Sequence, residues 1–196
     1  LGAVSLSAGK NLSIEQNFNA VGDLSLESGD NSVGAGNVSL NAGSTINTQG
    51  SNLTVSAKGL TLNGSIDTGS GDLILGVYDS GRDISLGNAS SGLVVTNDEL
   101  SRVTTTNAYF GDSNSGNILV EGVLGTSTDA IGTVTLNALE ESKNVSFVGD
   151  STFNTLNVSA DNGISINGSV ETVVGNLTLD ADVDQTTLDN DKLYLE

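Results

Sequence analysis

Apolar and polar residues alternate along this chain in short bursts. In "GNLTLDA" (175–181) Leu177 and Leu179 flank Thr178, a period of two that sends the leucines to one face of a strand and the hydroxyl to the other. Nearly the same phrase returns as "GDLSLES" (22–28), "GNVSLNA" (36–42) and "GTVTLNA" (132–138). Each copy reads as a short strand behind a turn, with Gly free to take positive φ and Asn or Asp tolerant of the left-handed region.

The spacing of the bursts predicts how they are arranged. Val4, Leu12, Phe18 and Leu24 span a cycle of 20 residues; so do Leu53, Leu60, Ile66 and Leu73, while Leu156, Ile164, Val170 and Leu177 span 21. Three short strands per coil of about 20 residues is the period of an all-β parallel β-helix, a solenoid in which each coil stacks on its neighbour. "GLTLNGSIDTGSGDLIL" from Gly59 aligns with "GISINGSVETVVGNLTL" from Gly163, which makes the repeat internal and direct. One coil buries too little to order itself, so neighbours must share backbone hydrogen bonds and an aliphatic column. Nine or ten coils about 4.8 Å apart would build a rod of about 45 Å.

One stretch breaks the rhythm. "TNDELSRV" (96–103) carries Thr96 with Glu99 three positions on, then Leu100 and Val103 at helical spacing, a capping box opening a short helical turn. The reading is therefore a single β-helix segment over 1–196, interrupted over 93–116, with the helical turn near 97–104 and strands resuming at "AYFGDSNSGNILVEG". Lacking an initial Met, and starting and stopping within the pattern at "LGAVSL" and "KLYLE", the chain reads as a segment of a longer protein.

Composition narrows the function. There are 25 glycines, 4% aromatic residues, and no Pro, Cys, Met, Trp or His. Without His or Cys, the Ser-His-Asp and Cys-His arrangements and imidazole acid–base chemistry are excluded. With 24 acidic against 6 basic residues the net charge is -18, which repels nucleic-acid backbones and anionic lipid headgroups. No apolar run approaches the roughly 20 residues that cross a bilayer.

Two motifs hold candidate chemistry. "DSGRD" (79–83) offers Asp79, Arg82 and Asp83 for carboxylate catalysis, or simply a corner loop with a surface ion pair. "DADVDQTTLDND" (180–191) places Asp180, Asp182 and Asp184 at positions 1, 3 and 5 of a calcium loop, with Gln185 where a sharp turn wants Gly and Asp191 where a bidentate Glu belongs. The alternative is that Leu177, Leu179, Ala181 and Val183 continue an inward face and leave the aspartates solvated. Nine Asn-x-Ser/Thr sequons, Asn11 and Asn52 among them, follow from the repeat itself.

The "G-[ND]-[LV]-[ST]-L" coils and the segment "LVVTNDELSRVTTTNAYFGDSNSGNILVEG" (93–122) resemble the haemagglutinin-type repeats of filamentous haemagglutinin-like exoproteins, large bacterial surface adhesins exported by two-partner secretion. The resemblance implies a right-handed β-helix at the cell surface or outside the cell. It also implies a structural or adhesive shaft, serving adhesion, filaments or biofilm matrix, with no catalysis; no cofactor is expected unless the acidic segment 180–191 takes calcium. Implied partners are neighbouring coils or copies of the chain, and host or cell-surface glycans or proteins, with no nucleic acid and no membrane insertion. The Asn-Pro motifs of that family's amino-terminal secretion domain are absent from a chain without proline. The alternative is a carbohydrate-active or carbohydrate-binding β-helix, which would carry long loops with carboxylates and aromatics over one side.

Overall fold

A computed structural model describes residues 2–29, 36–183 and 192–196. The described chain is nearly all β, with 57% strand and 4% helix, and the strands pair in parallel throughout. The largest sheet runs Val4–Ala8, Leu24–Ser28, Leu53–Ala57, Ser65–Val77, Val103–Phe110, Ile131–Ala138, Leu156–Ala160 and Leu177–Asp180 in spatial order; Phe18–Asn19 and Thr45–Asn47 join it through Ser65–Val77. A second sheet holds Leu93–Thr96, Arg82–Gly87, Ser115–Glu121, Val145–Val148, Ile164–Asn167 and Leu193–Leu195. A third holds Leu12–Ile14, Asn37–Leu40 and Gly59–Leu62, and a fourth pairs Ser151–Phe153 with Val170–Thr172.

Register follows the apolar pattern. Leu24 lies opposite both Val4 and Leu53, Leu53 opposite Leu73, and Leu156 opposite Leu177. Because side chains alternate faces, these pairings align whole inward sets, and a one-residue slip would turn each set to solvent. Leu24, Leu26, Leu53, Val55, Leu73 and Leu75 are all buried in one apolar cluster. Phe110, Phe147 and Phe153 belong to the same cluster at 1% exposure or less, so three of the aromatics fill the core.

Spatial order departs from chain order once. Leu93–Thr96 follows Arg82–Gly87 in sequence, yet it lies on the side of that strand away from Ser115–Glu121 and packs beside Gly59–Leu62. The chain therefore advances one position and doubles back through residues 88–92. Glycine is required at both ends of the return. Gly87 and Gly92 have φ of 82° and 74°, and a Cβ would stand 2.2 Å from the Glu121 carbonyl oxygen and 2.0 Å from that of Asp83.

The expected helical turn is Asn97–Leu100, here α1. The Thr96 hydroxyl accepts the Glu99 N–H, and Glu99 Oε2 accepts the Thr96 N–H at 2.9 Å. Glu99 Oε1 also accepts the Leu62 N–H at 3.0 Å, and Leu100 is 1% exposed. The capping box thus fastens the turn to a neighbouring strand while closing its own first turn. Strand structure resumes at Val103, ahead of the expected Ala108, because Val103 pairs with Ile66 and the buried Thr105 hydroxyl has partners in Thr68 and Gly71. A second turn, Gly125–Thr128 (α2), has no side-chain cap; "GTST" carries no apolar periodicity to announce it.

Candidate functional site

The residues that recur in the sequence phrase perform a common task at the corners. Asp23 Oδ1 accepts the Asn52 N–H at 3.0 Å, Asn52 Oδ1 accepts the Asp72 N–H at 3.0 Å, and Asp72 Oδ1 accepts from the Asn107 side-chain amide at 2.7 Å. A second ladder runs from Asp83 to the Asn117 N–H and from the Asn117 side chain to the Asn144 N–H, at 2.8 and 3.1 Å. Asn11 Oδ1 accepts from the N–H groups of Gly36 and Asn37. Apart from Asp72, whose partner is a side-chain amide, these corner oxygens each satisfy a main-chain donor of the adjacent strand layer.

This corrects the sequence reading of "G-[ND]". Among the described residues only Gln49 and Ser142 have positive φ outside glycine, so Asn and Asp recur as acceptors and not as left-handed turn residues. Gly36 and Gly87, before Asn37 and Asn88, have positive φ, but other glycines that open the phrase answer to close approach. A Cβ at Gly71 would lie 2.1 Å from the Ser51 carbonyl oxygen, and one at Gly132 would lie 2.6 Å from that of Thr106. Neither glycine has positive φ. The sequon residues Asn11 and Asn52 have their side-chain oxygens occupied in the ladders.

The acids and base of "DSGRD" face three different neighbours. Asp79 pairs with Lys58 at 3.2 Å, Asp83 caps Asn117, and Arg82 Nη2 donates to the Gly92 carbonyl at 3.0 Å. Ser80 reaches Glu140 Oε1 at 2.9 Å, and Lys143 stands 3.9 Å from the other oxygen of that carboxylate. The loop is thereby tied to the connection after Ile131–Ala138. Arg82 Nε and Glu140 Oε2 are enclosed without hydrogen-bond partners, a cost borne by the corner.

The acidic segment is described over residues 180–183. Asp180 ends its strand with its carboxylate exposed, and its Oδ1 accepts the Asp182 N–H at 3.4 Å. Asp184 and Asp191, the other two proposed calcium ligands, lie outside the described residues. Among the described residues no group of three or more acidic side chains is placed to hold a metal ion. Leu179 and Ala181 pack against the core, whereas Leu177 and Val183 are 38% and 39% exposed; the inward face continues here with one side open.

A polar hollow was not foreseen. Arg102, Thr45, Asn63 and Ser65 line a depression of about 240 Å³ that adjoins another of about 330 Å³ lined by Glu15, Gln16 and Asn17, the two sharing Gly43 and Ser44. The exposed Arg102 side chain has no ion-pair or hydrogen-bond partner among the described residues, and the Ser44 hydroxyl, though the residue is 3% exposed, also lacks one. Strand-register separation hid the hollow from the sequence, since Thr45 meets Ser65 across 20 positions. Comparison with protein-family models, with curated proteins and with solved structures gives no match.

Proposed function

We propose that this chain is a right-handed parallel β-helix serving as a structural or adhesive shaft of a secreted or cell-surface bacterial exoprotein, without catalysis of its own. The observation that carries the reading is the pair of corner ladders on parallel strands. Asn and Asp side chains bind successive layers at sites set by a short sequence phrase, which is what a chain extended by repetition requires. The right hand follows from the handedness of parallel crossover connections. The divergent partners of Asp79, Arg82 and Asp83 support a scaffold role for that loop. The resemblance to filamentous haemagglutinin-like repeats supports the location, with neighbouring coils or copies of the chain as first partners.

The apolar end of the stack favours further layers as the natural continuation. Val173, Val174 and Leu195 are 63%, 79% and 71% exposed, and they lie on or beside the last strands of two sheets, where further parallel strands of like pattern would cover them.

A second reading, carbohydrate binding, is favoured by one observation: the hollow around Ser44 and Arg102 offers unpartnered donors suited to hydroxyl and carboxylate groups. A polysaccharide panel tests both readings. The shaft reading expects neither cleavage nor retention of any polymer, whereas the binding reading expects retention of acidic saccharides that Arg102→Ala abolishes. Turnover that is lost in Asp79→Ala or Arg82→Ala would overturn the reading and install the catalytic alternative.

A further inference from the structure

The chain holds three Asn-Gly pairs, Asn63-Gly64, Asn162-Gly163 and Asn167-Gly168. Two of them occupy the same position of the internal repeat, inside the matching tripeptides Asn63-Gly64-Ser65 and Asn167-Gly168-Ser169. Sequence makes the pairs equivalent; the structure does not.

Asn-Gly is the dipeptide most open to intramolecular attack on the asparagine side chain, because glycine presents an unhindered nitrogen and a freely rotating backbone. In the first copy that nitrogen is held. The Gly64 N–H donates to the Leu40 carbonyl at 3.1 Å, and the Asn63 N–H donates to the same oxygen at 2.9 Å. Gly64 is buried, and an added Cβ would stand 2.3 Å from the Ser44 carbonyl oxygen. Asn162-Gly163 is held likewise, the Gly163 N–H donating to the Ala181 carbonyl at 3.1 Å with the glycine buried.

The third pair differs in its exposure and in its glycine N–H, although a Cβ at Gly168 would also stand 2.7 Å from the Gly149 backbone. Asn167, Gly168 and Ser169 are all exposed, and the Gly168 N–H has no hydrogen-bond partner among the described residues. Gly168 has a φ of 128°, a conformation that marks this corner as different from its counterpart at Gly64. The Asn167 side-chain amide makes only a long contact, 3.5 Å to Glu196 Oε2.

We infer that Asn167 is the site at which this chain modifies itself, by deamidation through a cyclic imide formed with Gly168. The Gly168 nitrogen gives its proton to solvent base and attacks Cγ of Asn167. The N–Cγ bond forms, the Cγ–Nδ2 bond breaks, and the amide nitrogen departs as ammonia after taking a proton from water. Water then adds to one of the two imide carbonyls and opens the ring to aspartate or to isoaspartate. No electron transfer is involved and water is the only co-reactant.

The product alters the corner in two ways. Either isomer adds a negative charge to a chain already at -18. The isoaspartyl form also lengthens the main chain by one carbon where the Asn167 carbonyl accepts the Gly149 N–H at 2.7 Å. The pairing of Val148 with Asn167 is the contact this extension disturbs first.

The test holds the native protein in mildly alkaline buffer and follows all three sites by peptide mass spectrometry, with an isoaspartyl methyltransferase as an independent label. Asn167 should convert first, with Asn63 and Asn162 about tenfold slower or more, since their glycine nitrogens must leave a hydrogen bond and a packed strand before reacting. In denaturant the three rates should converge. Asn167→Gln should remove the early product while leaving the melting temperature unchanged. Native Asn63 or Asn162 reacting as fast as Asn167 would overturn the inference. So would an Asn167 that stays intact while the denatured chain is consumed.

Discussion

The side-chain oxygen of Asn52 accepts the main-chain N–H of Asp72 at 3.0 Å, across 20 positions of sequence. That bond converts a sequence period into a contact between layers, and the same relation of Asp23 to Asn52 shows that Asp and Asn serve interchangeably as acceptors. What the acceptor must not do is lose its oxygen.

Asn52→Ala should therefore cost about 1–2 kcal/mol, by leaving the Asp72 N–H without its partner. Asp23→Asn should be neutral or slightly stabilising, because it keeps the acceptor and removes a charge from a strongly acidic surface. Urea denaturation of the two variants measures both values. A loss at Asp23→Asn as large as that at Asn52→Ala would mean that the charge of Asp23 matters beyond its acceptor oxygen.

Position along the stack should grade the cost of removing a leucine. Leu62 is 2% exposed and Leu195 is 71% exposed, although both occupy strands of the same alternating pattern. Leu62→Ala should cost about 2–5 kcal/mol, the range for a buried leucine leaving a cavity. Leu195→Ala should fall within about 0.5 kcal/mol of wild type. Leu62→Asp should unfold the surrounding layers outright, since it buries an unpaired carboxylate. A large loss at Leu195 would show that the final layer is covered in solution.

Much of this was legible in the chain itself. Alternation placed Leu24, Leu53 and Leu73 on one face, and the parallel register bears that out, because a period of two leaves little freedom once one face is buried. The turn at Asn97–Leu100 was equally readable, since a capping box is a local signal. Stacking order was not. "DISLG" and "GLVVT" both read as short strands, so nothing in either says that Leu93–Thr96 should slip back behind Arg82–Gly87. The corner glycines were legible as turns but not in their cause, since the crowding at Gly71 comes from Ser51, 20 positions away. The hollow at Arg102 was illegible for the same reason: its walls are assembled from separate layers.

Calcium gives a further check on the acidic segment. Asp180 spends one oxygen on the Asp182 N–H, and Asp180 is solvated, so the expected melting temperature is the same in calcium and in magnesium at equal ionic strength. A rise in proportion to the logarithm of calcium concentration would instead report a bound ion, with Asp180, Asp182, Asp184 and Asp191 as the ligands to replace.

Strands 20 to 29 residues apart stack in parallel at fixed register, and engineered disulfides test this most directly. The chain has no cysteine of its own, so any bridge is the introduced one. Ser5 lies opposite Ser25, Ser25 opposite Thr54, and Thr135 opposite Asn157, each pair alternating with leucine or valine neighbours that are buried or, beside Ser5, half-buried. Adjacent strands sit about 4.8 Å apart, inside the Cα range of about 4.4–6.8 Å that a disulfide needs. Cysteine at both members of each pair should form an intramolecular disulfide under mild oxidation. The shifted pair Ser25→Cys with Val55→Cys should not, because its side chains point to opposite faces. Bridging of the shifted pair, or failure of all three registered pairs in a folded protein, would contradict the stacked parallel architecture on which the proposed function stands.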